Sequence, residues 1–319
     1  MKKLSFKIEK ELQHQGTCDA SGSVAIEDTH YFILGNDEDN ILRIYDAEKS
    51  GEPVEKIDTN SYFKNNPKDK EVDIEAAALL DGVIYWITSH GRNKKAKEKP
   101  ERCNFFANKI TVKNNSFSSE QVGESYSELL TDMFNDKTLK KYNLKEAAKL
   151  APKAEGGLNI EGLCITPSQE MLIGFRNPIP DGKALLLPLK NPKDLIEKKE
   201  TCASFGEPIE LDLGGLGIRS IVYWEKHEVY FIVAGSYDSS DNFQLYQWSG
   251  NPQESPEVIE GELPQDFKPE DITFYPNRDN EFQLLSDDGS IKRDGETECK
   301  DLPENERYFR SLWMSIKEE

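Results

Sequence analysis

Short runs in which apolar residues alternate with polar ones, or stand together in fours to sevens, recur along the whole chain between Gly-, Asn-, Asp- and Pro-rich connections. This is the pattern of β-strands joined by hairpins. Residues 22–27, 31–34, 41–45 and a more charged 53–57 make one four-stranded meander. Further strands are expected at 76–80, 83–88 and 105–112, at 163–166, 171–175, 184–189 and 208–213, and at 220–224, 229–234, 243–248 and 257–262. A fifth unit has 272–275, 281–285 and 308–315, then ends one strand short. The unused N-terminal run 6–11 fills that place, closing a ring and removing the free sheet edges that an open repeat array would expose.

Each unit opens on a similar short motif: Asp19-Ala20-Ser21-Gly22, Asp73-Ile74-Glu75-Ala76, Asn159-Ile160-Glu161-Gly162, Gly217-Ile218-Arg219-Ser220 and Pro269-Glu270-Asp271-Ile272. With Ser21, Glu75, Glu161, Arg219 and Glu270 as equivalents, the steps are 54, 86, 58 and 51 residues, the period of a propeller blade. The expected fold is therefore all-β, a single closed β-propeller over residues 1–319. Five blades are expected, and six are the alternative, because the long step has room for one more. Its surplus reads as helix instead. Ser125 with Glu128 and Asn143 with Glu146 have capping-box spacing, and Leu129, Leu130, Met133, Leu144, Ala147, Ala148 and Leu150 recur at helical intervals before Pro152. A small helical insertion over 124–152, before the third blade, is the expectation.

The formal charge of −19 repels phosphate backbones and anionic lipid, so no nucleic acid and no membrane surface is an expected partner. Divalent cations are better candidates. No apolar run is long enough to span a bilayer, and the charged N-terminus does not read as a signal peptide. Five scattered cysteines point to reduced structural thiols in a soluble, cytoplasmic monomer.

Antiparallel strand order places the starts of first strands and the ends of second strands on one face. That face collects the ring Asp19, Ser21, Glu75, Glu161, Arg219 and Glu270, and an outer set with Asp37, Glu38, Asp39, His90, Arg92, Asn93, Lys94, Arg176, Asn177, Tyr237, Asp238 and Asp287. Three inward glutamates against Arg219 leave excess negative charge, which either raises pKa values or draws in a cation. A divalent ion, Ca²⁺ first, suits oxygen ligands from Glu75, Glu161, Glu270, Asp37 and Asp287. Alternatively Arg176 and Arg219 close the channel as an ion-pair plug. The basic loop 92–102 either steers an anion inward or is a solvated surface loop. His90 beside Arg92 is a candidate acid or base. Serine-nucleophile elbows and phosphate-cradling glycine loops are absent.

The segments Asp73-Ile74-Glu75, Ser89-His90-Gly91-Arg92-Asn93-Lys94, Asn159-Ile160-Glu161-Gly162-Leu163, Gly174-Phe175-Arg176-Asn177-Pro178, Gly217-Ile218-Arg219-Ser220 and Ser286-Asp287-Asp288-Gly289 resemble a bacterial propeller family catalogued as domain of unknown function 3616. The resemblance covers nearly the whole chain and implies a propeller without an assigned reaction. Asn159-Ile160-Glu161-Gly162-Leu163 is also similar to an element of phytase-like esterase propellers. Ser21 and Arg219 depart from a simple carboxylate ring.

Two functions follow as expectations. One is a metal-assisted hydrolase of an anionic ester, a phosphate ester or lactone. In it Glu161, Glu75, His90, Arg176 and Arg219 are catalytic, and Arg92, Asn93, Asn177, Tyr237 and Lys94 bind substrate. The other is a non-catalytic propeller that binds a small anionic molecule or a protein on the same face.

Overall fold

The computed structural model describes residues 2–114, 116–198 and 201–318. After the long strand β1 (Leu4–Gln15), the first blade contains β2 (Gly22–Ala25), β3 (Tyr31–Gly35), β4 (Ile41–Asp46) and β5 (Glu55–Asp58). The second contains β6 (Ile74–Leu80), β7 (Val83–Thr88), β8 (Phe105–Lys113) and β9 (Ser116–Tyr126). Two short helices follow, α1 (Leu129–Asn135) and α2 (Leu144–Ala147). The third blade has β10 (Asn159–Ile165), β11 (Met171–Asn177), β12 (Ala184–Leu189), α3 (Pro192–Glu197) and β13 (Ile209–Leu211). The fourth has β14 (Gly217–Trp224), β15 (Val229–Gly235), β16 (Phe243–Trp248) and β17 (Glu257–Val258). The fifth is β18 (Pro269–Phe274), β19 (Glu281–Ser286) and β20 (Tyr308–Glu318), completed by β1.

Five four-stranded antiparallel sheets result, and the ring closes as the unpaired N-terminal run requires. Phe6 pairs with Ile316, Lys7 with Ser315 and Glu11 with Leu312. A five-bladed β-propeller is the fold. The strand missed in the sequence is β9, whose alternation is mostly polar because it forms the solvent-facing edge of the second blade.

Each blade is apolar on both faces, so successive sheets share a core. In β7, Ile84 and Trp86 pack toward the first blade while Tyr85 and Ile87 pack toward the third. In β15, Tyr230 and Ile232 face the third blade while Phe231 and Val233 face the fifth. The period-2 alternation of strands thus serves two cores at once, which is why these strands read as continuous apolar runs. Leu129, Met133, Leu139, Tyr142, Leu144 and Ala147 extend the core between the second and third blades. The helices lack the expected capping boxes. Ser125 still belongs to β9 and donates to the Tyr62 carbonyl at 2.8 Å, and neither helix start has a side-chain cap. Near the axis the inner strands nearly touch, and a Cβ on Gly22 would lie 2.7 Å from the Ala76 Cα.

The expectation of reduced thiols is corrected at two positions. Cys18, just before β2, and Cys299, in the loop before β20, form a disulfide with a Cα–Cα distance of 5.9 Å. Ring closure causes the encounter: the two lie 281 residues apart in sequence but on the same face of adjacent blades. Cys103, Cys164 and Cys202 are free. No helix among the described residues is long and apolar enough to cross a membrane.

Candidate functional site

Four of the five motif residues occupy one backbone device. The pairing register jumps from Ile74 to Ala76, from Ile160 to Gly162, from Ile218 to Ser220 and from Pro269 to Asp271. Glu75, Glu161, Arg219 and Glu270 are therefore the extra residues of β-bulges at the start of each inner strand. A bulge bends its strand and re-aims a side chain. Here it brings one carboxylate oxygen each from Glu75, Glu161 and Glu270 within 4.8 Å of one another, all buried. Ser21 precedes β2 without a bulge and donates to Asp19 Oδ1 at 2.9 Å.

Two arginines enter this group. Arg176 Nη1 donates to Glu161 Oε1 at 2.8 Å, while its Nε and Nη2 donate to the carbonyls of Ser236 and Asp238, both at 2.8 Å. Its guanidinium is fully engaged and holds Glu161 in place together with Asn159, whose Nδ2 donates to Glu161 Oε1 at 2.6 Å. Arg219 contacts Glu270 directly and lies 3.7 Å from Glu161 Oε2 and 3.8 Å from Asp287 Oδ2. Burial and the neighbouring Arg176 push the Arg219 pKa down, whereas Glu161 holds that of Arg176 up against its burial. Glu161 Oε2 and Arg219 Nε are buried and make no hydrogen bond, whereas Glu270 Oε2 is the oxygen that Arg219 Nη2 contacts.

Outside this ring lies a second acidic layer. Burial pushes the Glu75 and Asp19 carboxyls well up, helped at Glu75 by Glu161 and at Asp19 by Asp37. Asp37, hydrogen-bonded to Asp19, is raised to about 7 by burial and by Asp73 and Asp287. Glu38 is raised to about 7 by burial and by Asp37. Asp73 is also raised to about 7 by burial, although Arg102 Nη1 donates to its Oδ2 at 2.8 Å. Sequence reading missed Asp73 and Arg102 as site residues. Asp73 stands two residues before Glu75 in the motif itself, so the signal was there; Arg102 was hidden at the end of a loop that reads as solvated. One layer along the channel, Asp271 accepts from Ser220 Oγ at 2.6 Å and from Ser23 Oγ, and burial raises it to about 6.

Several expected substrate contacts are instead spent inside the protein. Arg92 donates to the Ala148 carbonyl at 2.7 Å, the Ala96 carbonyl at 2.9 Å and Glu98 at 2.7 Å, which ties its loop to the helical segment. Asn93 accepts from the backbone of Lys95 and Lys97 within that loop. Asn177 is fully buried and donates to the carbonyls of Pro152 and Ala154. Asp39 is held by Arg43 at 2.7 and 2.9 Å and faces away from the ring. Lys94 is exposed and Tyr237 is half-buried. His90 Nδ1 hydrogen-bonds the Thr88 carbonyl at 2.7 Å, and burial lowers its pKa to about 4. An imidazole so placed stays neutral and is a poor base near neutral pH.

Among solved structures, the glutaminyl cyclase of Myxococcus xanthus superposes with a TM-score of 0.51 at 10% identity, covering 100% of this chain and 99% of that one. The PQQ-bound aldose sugar dehydrogenase of Streptomyces coelicolor gives the same score and identity, with 99% of each chain covered. At such identity these likenesses concern the fold alone. No curated protein sequence matches the chain. The model of one family matches residues 106–281, more than half of the sequence. The chain belongs to that family, described as Protein of unknown function (DUF3616).

Proposed function

We propose that the channel mouth is a divalent-cation centre and that the protein is a metal-assisted hydrolase of small anionic esters, either phosphate esters or lactones. One observation carries the reading: oxygens of Glu75, Glu161 and Glu270 lie within 4.8 Å of one another. Ligands about 2.4 Å from a single calcium ion have separations of this size. The buried Oε2 of Glu161, which makes no hydrogen bond, is further support, since a buried acceptor without a partner is costly. A bound ion would polarise the ester oxygen or acidify a water. Arg176 and Asn159 orient Glu161. Asp19 and Asp37, whose carboxyl pKa values burial pushes up, are placed to serve as acids, and Arg219 and Asp287 border the same space. The free protein works as a monomer in this reading. The Cys18–Cys299 bond argues against a reducing cytoplasm as its place of work, and alkylation trapping of cell extracts would report its state there.

The direct pairs Arg176–Glu161 and Arg219–Glu270 support a second reading, an ion-pair plug in a propeller that binds a small anion or a protein without catalysis. Metal analysis of the purified protein separates the two, combined with turnover of p-nitrophenyl phosphate and a lactone panel with and without EDTA. The hydrolase reading expects one bound divalent ion and an EDTA-sensitive rate that Glu75→Gln lowers on the order of 100-fold. Absence of both metal uptake and turnover would leave the plug.

A further inference from the structure

The walls of the channel mouth offer hydrogen-bond acceptors while their cationic donors are already committed. The three ring glutamates and the wall acids Asp19, Asp37, Glu38, Asp73 and Asp287 face the guanidinium groups of Arg102, Arg176, Arg219 and Arg307. Even with a divalent ion in the ring, the formal charge there stays negative. Arg176 is fully engaged, and Arg102 is held by Asp73 at 2.8 Å and by Glu71. Arg219 is held by Glu270, and Arg307 spends its Nε on the Leu302 carbonyl at 2.7 Å. Flanking lysines are taken as well. Lys268 pairs with Asp241 at 2.8 Å and Lys300 with Glu298 at 2.9 Å, and Lys300, helped by Lys292 and Lys94, holds the Glu298 carboxyl below the usual range.

Several acceptors, by contrast, are unspent. Glu38 is half-buried, and its side chain makes no hydrogen bond among the described residues, Arg307 Nη1 being 3.8 Å away. It stands beside the loop that carries Asp287, where a Cβ on Gly289 would lie 3.7 Å from Glu38 Oε1. Asp287 Oδ1 accepts from the Gly289 N–H at 2.9 Å, but its Oδ2 is 3.8 Å from Arg219, beyond hydrogen-bond reach. Deeper in the mouth, Glu75 is 7% exposed and its side chain makes no hydrogen bond or ion pair among the described residues. A ligand complementary to such walls carries donors and no negative charge. A phosphate ester brings acceptors and charge of the wrong sign.

We propose that, of the two ester classes, the mouth takes the lactone, and specifically an uncharged, hydroxylated lactone whose hydroxyls donate to Glu38, Asp37 and Asp287. This substrate class rests on the hydrolase reading and narrows it. Hydrolysis adds one water across the ring ester. The acyl C–O bond breaks, the water oxygen joins the acyl carbon, one water proton goes to the ring oxygen, and the other is released as the new acid ionises. Negative charge thus arises only in the product, which the same walls repel outward. Glu38 is a specificity-determining residue, since a site built to pair with a hydroxyl rejects the analogue that lacks it.

Steady-state hydrolysis by the full chain tests the assignment, after calorimetry has measured its calcium uptake. The probes are glucono-δ-lactone, δ-valerolactone, the cationic homoserine lactone and p-nitrophenyl phosphate, each corrected for its uncatalysed rate. With calcium present, kcat/KM for gluconolactone is expected to exceed that for each other probe on the order of 100-fold. Glu38→Ala, at a partly exposed position outside the ring, is expected to lower the gluconolactone value about tenfold through the lost hydrogen bond to a charged group. It should leave the δ-valerolactone value and the melting temperature unchanged. Preference for any other probe, or an unchanged ratio of gluconolactone to δ-valerolactone in Glu38→Ala, would overturn the substrate class while the metal-assisted hydrolase stands. No turnover of any probe, with or without calcium uptake, would remove the hydrolase reading and this one with it.

Discussion

Arg219 is a cation placed where the four other blades supply carboxyl or hydroxyl groups, and its environment decides how the ring is balanced. It touches Glu270, approaches Glu161 and Asp287, and is buried to 5% exposure. Replacing it by Met leaves these carboxylates uncompensated, which should cost about 3–5 kcal/mol and be partly relieved at lower pH as the acids take up protons. Urea unfolding at pH 5 and pH 8 measures both effects. A variant as stable as the parent at pH 8 would show that the guanidinium is not what balances the ring. Glu161→Gln probes the opposite partner. Calcium should raise the melting temperature of the parent by ligand linkage and scarcely change that of Glu161→Gln, if the ion is bound as proposed. Equal calcium shifts in both proteins would place the ion elsewhere. His90 enters neither account, because its neutral imidazole is fixed on the Thr88 carbonyl. A pH–rate profile of any hydrolysis should therefore lack a limb that His90→Gln removes.

The bulges at the starts of β6, β10, β14 and β18 explain why the motif could be found by eye and its geometry could not. Sequence spacing reveals that Glu75, Glu161, Arg219 and Glu270 hold equivalent positions, since their flanking apolar residues repeat. Whether the side chain points along the axis depends on one unpaired residue per strand, and a bulge leaves no compositional mark. The loops were legible only as polar segments. Arg92, Asn93 and Asn177 look like ligand-binding residues in sequence, yet each satisfies backbone groups of its own or a neighbouring segment. A polar residue beside a site commonly has that task, because loop carbonyls and amides need partners. Ring closure, by contrast, followed from counting strands. With β1 paired to β20 and also bonded to the end of the fourth blade through Phe6 N–H and the Glu260 carbonyl at 2.8 Å, removal of residues 1–12 should expose β20 as a free edge. Thermal unfolding of the truncated chain should show a lowered transition and concentration-dependent aggregation. An unchanged melting curve would contradict closure by this strand.

At the scale of the molecule, two long-range features act on stability. The Cys18–Cys299 bond links positions 281 residues apart. By loop-closure entropy its removal in Cys299→Ala should cost about 5 kcal/mol, read from denaturant midpoints with matched slopes. The other feature is the acidic mouth, which should make the protein more stable in mild acid than in mild base. Asp37, Glu38 and Asp73 are raised to about 7 and Asp271 to about 6, and burial raises Asp19 and Glu75 as well. A carboxyl whose folded pKa exceeds its unfolded one stabilises fully below the unfolded value near 4, and that contribution is lost as pH rises through the folded value. Burial depresses His14 to about 3 and His90 to about 4. Their contribution has the opposite sign, present above the ordinary histidine range and lost as pH falls below it. Six carboxyls outweigh two imidazoles, so the melting temperature at pH 5 should exceed that at pH 8 by on the order of 5 °C. Below pH 4 the trend reverses, because carboxylates held down by partners, such as Asp39 on Arg43, take up protons and lose them. A divalent ion in the ring would replace protons as the compensating charge, and calcium at pH 8 should then recover much of the difference. A melting temperature that climbs steadily from pH 5 to pH 8 without calcium would mean that the mouth carries its negative charge at no cost, and the electrostatic argument for a cation there would fall with it.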